Sequence, residues 1–285
     1  MIKKDSFIIS GSQENKILLD VYYKNNSTKK DVVIFSHGFK GFKDWGPFNN
    51  MAKSFALEGF FFIKFNFSYN GTSLSNPTEF VDLNSFGNNN FSIELDDLNN
   101  VLNWIISNTD FNQQINKNRI NLFGHSRGGG ISILKANEDI RINKVVSWAS
   151  PSNFIKRMDE SKLDTWKNEG VAYIFNSRTN QNMPLFYQFY EDCIKNKSRI
   201  DIENASRNLN IPHLAIHGSD DPTVHIDEVY DFQKWNSKTI VKEIKGANHV
   251  FGVSHPYDDK QYPMHRILFR IHMMINNILC ILIKH

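Results

Sequence analysis

The chain has 285 residues, 40% of them hydrophobic and 22% charged, enough apolar material for a sizeable core and too much for wholesale disorder. Its 33 lysines and arginines against 30 aspartates and glutamates leave a scattered net charge of +3, which does not mark a nucleic-acid binder. Two cysteines, Cys193 and Cys280, exclude a disulfide framework and any multi-cysteine metal site, and fit a reducing compartment.

From Met1 to Asp20 charges recur at Lys3, Lys4, Asp5 and Glu14, and no long apolar run of a signal peptide is present. Leu18 to Tyr23 reads as an early, half-buried strand. Val32 to Phe35 is a continuous apolar strand that ends at Ser36-His37-Gly38. Phe60 to Phe67 is a further strand, closed by the turn Asn70-Gly71. The cluster Asn88-Asn89-Asn90 reads as a loop. Leu98, Val101, Leu102, Ile105 and Ile106 recur at helical spacing. Ile120 to Phe123 is a strand running into Gly124, and Ile131 to Ala136 continues a helix behind the glycines that follow. Val145 to Trp148 is the next strand. Regular alternation then pauses from Pro151 to Leu209, a mixed, aromatic and charged stretch that is the candidate cap. It resumes with a strand at His213 to His217, a helix near Ile226 to Trp235 and a strand at Thr239 to Ile244. A helix-like tail is expected from Pro263. Its apolar stripe (Ile267, Leu268, Ile271, Met274, Ile275, Ile278) is read first as packing on the sheet, second as a homodimer contact and third as membrane attachment. The uncharged run Ile271 to Ile283 is shorter than the about 18 residues a spanning helix needs. A soluble, cytoplasmic protein without membrane partners is expected.

Apolar strands alternating with helical patterns are the mark of a mostly parallel sheet with crossover helices. On that frame Gly124-His125-Ser126-Arg127-Gly128 has the G-x-S-x-G form, between a strand and a helix. A serine on so tight a turn exposes its hydroxyl, and the glycines let strand and helix approach closely. A hydroxyl needs a base to take its proton. His249, in Gly246-Ala247-Asn248-His249, follows the last predicted strand and can return to the carboxyl edge of the sheet. An acid to orient that imidazole lies in His217-Gly218-Ser219-Asp220-Asp221-Pro222-Thr223-Val224, where Asp220 and Asp221 both qualify. Adjacent turn residues point differently, so one serves and the other caps the turn.

The order Ser126, acid, His249, carried on these motifs, resembles the α/β-hydrolase family, from about Leu18 to His255. The resemblance implies an α/β-hydrolase fold, an eight-stranded, mostly parallel sheet in one domain (1–285) with an inserted cap at 151–209. In that family the acid commonly sits three residues after the glycine of its turn, which selects Asp221. His37-Gly38-Phe39 matches the family's oxyanion loop, which implies that the backbone N–H groups of Phe39 and Arg127 form the oxyanion hole. The run His37 to Phe42 further resembles small bacterial serine esterases of the feruloyl and cinnamoyl type. Asn66 departs from the Asp that many relatives carry in the Asn66 to Ser73 loop, and His225 from the Pro that often follows the acid-turn valine.

The expected function is a serine carboxylesterase acting on a small-molecule ester through an acyl-enzyme, without metal or organic cofactor. A peptidase or thioesterase with the same triad, and a non-catalytic binding protein on the same fold, are the alternatives. Phe42, Trp45, Met183 and Phe186 are expected to line the substrate pocket. Phe48, Phe154, Trp166, Phe175, Tyr187 and Tyr190 share their character, divided between pocket and core. Lys40, Lys43 and Asp44 read as a solvated charge cluster, with a pocket rim as the second reading. The side chains of His125 and Arg127 are expected to pack locally, outside proton transfer.

Overall fold

A computed structural model describes residues 1–258. The expected C-terminal helix, its dimer reading and Cys280 lie outside the described residues. Ten strands and eight α-helices alternate as β1 (Ile2–Ser10), β2 (Lys16–Lys24), β3 (Lys30–Ser36), α1 (Phe48–Leu57), β4 (Phe61–Phe65), α2 (Leu83–Asn88), α3 (Phe91–Ser107), β5 (Ile115–His125), α4 (Arg127–Glu138) and β6 (Ile142–Trp148) among the described residues. They continue with α5 (Leu163–Glu169), β7 (Val171–Asn176), β8 (Gln181–Phe186), α6 (Gln188–Lys195), α7 (Ile202–Asn208), β9 (His213–Gly218), α8 (Asp227–Trp235) and β10 (Ile240–Ile244).

Eight strands form one sheet in the order β1-β2-β4-β3-β5-β6-β9-β10. From β4 to β10 all pairings are parallel, while β2 runs antiparallel to both β1 and β4. Val32, Val33, Ile34 and Phe35 of β3 are buried on both faces, which is why this strand reads as an unbroken apolar run. One face packs against α1, where Phe48, Met51 and Phe55 meet Phe35, Phe62, Phe123 and Trp148. The other carries α3 and α4, with Leu98, Val101 and Leu102 of the predicted stripe in the core. Asn90 of the expected loop is also a helix cap: its Oδ1 accepts the Ile93 N–H at 2.9 Å.

Sequence reading missed β1, an edge strand whose outer residues stay in solvent; Ile8 is 57% exposed. It also left α1 without a helix.

After Trp148 the chain leaves the large sheet and returns at His213. Between them β7 and β8 form a separate antiparallel hairpin, flanked by α5 and α6. Helix α7 then lies against α4, whose Gly130 leaves the space taken by the Ile202 and Phe154 side chains.

Three of the buried histidines are held well below the usual imidazole range. Burial lowers His37 to about 4, and His125 and His213 to about 3. Each stays neutral in the fold yet gains a proton once unfolded, where its pKa is about 6.5. Their contribution is therefore complete above about pH 6.5 and is lost as pH falls through that value to about 4 for His37 and about 3 for His125 and His213, at up to about 1.4 kcal/mol per pH unit for each histidine. We expect the urea midpoint to drop steeply between pH 6.5 and 4.5, and His213→Gln to make that slope shallower by about a third. A midpoint flat across this interval would contradict these buried neutral states.

Candidate active site

Strand β5 delivers His125 and helix α4 starts at Arg127, so Ser126 occupies the turn between them with φ 54° and ψ −124°. That backbone is strained for a residue with a Cβ. It is held by the Ser126 N–H donating to the Trp148 carbonyl at 2.7 Å and by the Gly129 N–H donating to the Ser126 carbonyl at 2.8 Å. The flanking glycines are a matter of space. A Cβ on Gly124 would stand 2.0 Å from the Gly128 carbonyl oxygen, and one on Gly128 would stand 2.3 Å from the Ser36 carbonyl oxygen.

His249 comes from the loop after β10 and Asp221 from the turn after β9. Asp220 and Ala247 tie the two loops together through an N–H to carbonyl bond of 3.0 Å. His249 Nδ1 lies 2.8 Å from Asp221 Oδ2, and its Nε2 lies 3.0 Å from Ser126 Oγ. With Nδ1–H donating to the carboxylate, Nε2 is free to accept from the hydroxyl.

Burial alone would raise the Asp221 carboxyl. Donation from His217, from His249 and from the Val224 N–H outweighs burial and holds the carboxyl well below the usual carboxylate range. Its Oδ1 accepts from the N–H groups of Thr223 and Val224 at 2.8 and 2.9 Å. Asp220 instead points outward, accepting from the Ser219 hydroxyl at 2.6 Å. The structure thus brings Ser126, His249 and Asp221 together and leaves Asp220 apart. His125, neutral and buried, donates from Nε2 to the His249 carbonyl at 3.1 Å.

Opposite the serine, a Cβ on Gly38 would approach Ser126 Cβ to 3.0 Å, so the loop after β3 passes directly over the Ser126 turn. Phe39 follows at the start of a turn closed by Gly41 N–H to the Gly38 carbonyl at 3.1 Å. Arg127 is the first residue of α4, so its N–H has no acceptor within the helix. The side chains of these two residues also meet. The Arg127 guanidinium lies 4.1 Å from the Phe39 ring centre and 5.0 Å from that of Phe91. Its Nη1 reaches Glu94 Oε1 at 3.2 Å, and Asn89 donates to the same oxygen at 2.7 Å.

A cavity of about 720 Å³ opens beside Ser126, walled by Phe39, Phe91, Arg127, Phe154, Trp166 and Leu185 among others. The four residues expected to line the pocket stand elsewhere. Phe42 is fully buried between Phe80 and His255. Trp45 packs on Phe48 and His255. Met183 is buried in the core, and Phe186 fills the space over Gly87. Phe154 and Trp166, from the wider aromatic set, do reach the wall. Phe91 and Leu185 carried no signal beyond being apolar. Lys43 and Asp44 are likewise not a solvated cluster: Lys43 is buried and pairs with Asp20 of β2, and Asp44, half-buried, pairs with Lys64 of β4.

A second serine–histidine contact, Ser147 Oγ to His213 Nε2 at 2.8 Å, is of another kind. Both residues are buried between β6 and β9, and the other His213 nitrogen faces the Thr239 hydroxyl, not a carboxylate.

The sheet order, the strained serine turn and the three converging loops define a class of protein, and comparison with known proteins agrees. Residues 31–197, more than half of the chain, match the family model described as the alpha/beta hydrolase fold, and the chain belongs to that family. A Mycoplasma genitalium protein provisionally designated esterase/lipase 2 is 25% identical over 265 residues, covering 84% of this chain and 89% of its own. Est1E from Butyrivibrio proteoclasticus, solved with ferulic acid bound, shares the fold with a TM-score of 0.74 at 15% identity, over 98% of this chain and 100% of that one. The Pyrococcus furiosus esterase PF2001 gives a TM-score of 0.59 at 15% identity, over 97% of this chain and 91% of that one. The two solved structures share the fold, and the esterase designation belongs to the proteins compared.

Gly128 offers a test of the turn's packing. Gly128→Ala forces a methyl group against the Ser36 and His37 carbonyl oxygens, at 2.3 and 2.5 Å. We expect a loss of about 3 kcal/mol or more in urea unfolding. A variant as stable as the parent would show that strand and helix are not in this contact.

Proposed function

We propose that this chain is a serine esterase that works through an acyl-enzyme, with Ser126 as nucleophile, His249 as general base and acid, and Asp221 as the orienting carboxylate. The observation that carries this reading is the unbroken series from Ser126 Oγ to His249 Nε2 at 3.0 Å and from His249 Nδ1 to Asp221 at 2.8 Å.

The Ser126 oxygen attacks the ester carbonyl carbon while its proton passes to His249 Nε2. The carbonyl oxygen becomes an anion and accepts hydrogen bonds from the N–H groups of Phe39 and Arg127, at the positive end of α4. Asp221 keeps the ring in the tautomer that accepts at Nε2 and offsets the charge of the imidazolium. Collapse of the intermediate breaks the bond to the alcohol oxygen, which takes the proton from Nε2. Water, deprotonated by the same imidazole, then releases the acid. The ester's apolar portion sits in the cavity walled by Phe91, Phe154 and Trp166. The segment 151–209 supplies much of that wall and acts as the cap.

Hydrolysis of p-nitrophenyl butyrate tests the reading. We expect Ser126→Ala to lower kcat by about 10⁴ to 10⁶ and Asp221→Asn by about 10⁴. Asp220→Asn should stay within about threefold of the parent, since among the described residues its carboxylate bonds only Ser219. Undiminished turnover by Ser126→Ala would defeat the assignment. Equal losses at Asp220 and Asp221 would defeat the choice of acid.

A further inference from the structure

Behind the proposed oxyanion loop lies a ring of four charges, three of them buried and the fourth, Asp44, half-buried, where a sheet face would ordinarily be apolar. Asp20 of β2 and Lys64 of β4 stand opposite each other in antiparallel register. Lys43 and Asp44 reach them from the loop. Lys64 Nζ lies 2.9 Å from Asp20 Oδ2, and Lys43 Nζ lies 2.8 Å from the same oxygen. Lys43 also bonds Asp44 at 2.6 Å, and Lys64 bonds the other oxygen of Asp44. Ser6 donates to Asp20 Oδ1 at 2.6 Å, and Lys4 approaches Asp20 at 3.4 Å from the rim. Two ammonium groups and two carboxylates thus close a neutral circuit.

Stability alone does not call for such a cluster. Burying such charges carries a desolvation cost that their attraction often only matches, and well-packed apolar replacements are commonly as stable or more so. What the ring supplies is position. Each contact between loop and sheet is short and directional, so residues 43 and 44 have one place to sit. The backbone nearby is held in the same sense: Lys43 N–H donates to Asn66 Oδ1 at 2.6 Å, and Asn70 Nδ2 donates to the Gly41 carbonyl at 3.2 Å. At its other end the loop rests on Ser126 through Gly38. The six residues from Gly38 to Lys43 are therefore fixed at both ends, with Phe39 between.

Resting on the serine-esterase reading, we infer that the Lys43–Asp20 bond is a positioning device that sets where the Phe39 N–H points. Lys43 touches no reacting atom; it acts through the loop. A misplaced oxyanion donor weakens binding of the transition state and leaves ground-state binding largely intact.

Two charge-matched variants separate position from charge. Lys64→Met/Asp44→Asn removes one cation and one anion and keeps the Lys43–Asp20 bond between loop and sheet. Lys43→Met/Asp44→Asn removes the same charges but leaves Lys64–Asp20, which ties the sheet only to itself. With p-nitrophenyl butyrate, the first should keep kcat within about threefold, and the second should lose about 10- to 100-fold in kcat with KM little changed. Affinity for a trifluoromethyl ketone, whose adduct carries the oxyanion, should fall by the same factor in the second variant only. Equal losses in both variants, or full activity in the second, would overturn the inference, as would a loss confined to KM. If the second variant does not accumulate folded, Lys43→Gln/Asp44→Asn, which removes the same two charges and both ionic ties between loop and sheet but keeps polar side chains in their place, is read in the same way. Ser126→Ala is assayed in parallel: its continued turnover would remove the esterase reading itself, whereas its inactivity beside an active tie-cut variant would remove only the positioning role.

Discussion

Everything at this site depends on one close approach: the turn after β5 crossing beneath the loop after β3. A hydroxyl can be offered to an imidazole from a third loop only if its own backbone is held in a conformation that residues with a Cβ seldom adopt. Ser126 is held there by the Trp148 carbonyl on one side and by the first turn of α4 on the other. The crossing leaves no room for side chains at Gly124 and Gly128, whose added Cβ atoms would overlap backbone oxygen. The parallel strands β3, β5, β6 and β9 all end at this edge, so the serine, the carboxylate and the Gly38–Phe39 loop arrive from within four successive strands of the sheet.

Around that crossing, charge is buried in balanced sets. Asp221 takes donors from His217, from His249 and from the backbone. Glu94 is paired with Arg127 and Asn89, and Asp20 and Asp44 share Lys43 and Lys64. Each set connects a loop at the site to an element of the scaffold. Two further histidines beside the site, His37 and His125, are kept neutral by burial, and Asp221 is the carboxylate that pairs with His249. Phe39 and Arg127 also stack on each other, so the two backbone donors of the proposed hole are clamped through their side chains.

The central strands were legible because a parallel strand covered on both faces must be apolar at every position, as Val32 to Phe35 are. The relation of Ser126 to a carboxylate and His249 was legible in the order of their motifs along the chain, while the choice of Asp221 over Asp220 came only from the family resemblance, because two adjacent turn carboxylates look alike in sequence. Strand β1 was not, since an edge strand alternates weakly and much of it stays in solvent. The β7–β8 hairpin was hidden for a similar reason, with Tyr173 and Phe175 exposed on a short free-standing ribbon. The pocket wall was misread because residue type does not tell lining from core: Phe42 and Phe154 are the same side chain, and only tertiary packing sends one between Phe80 and His255 and the other to the cavity. Lys43 and Asp44 read as solvated because their partners, Asp20 and Lys64, are remote in sequence and only the β2–β4 register brings them together.

Covalent labelling by a fluorophosphonate, with the adduct located by peptide mass spectrometry, addresses the junction of these loops most directly. The account predicts a single adduct on the peptide holding Ser126, formed far more slowly once His249 is replaced by alanine. An adduct on Ser147, or labelling of Ser126 that is indifferent to loss of the imidazole, would contradict it.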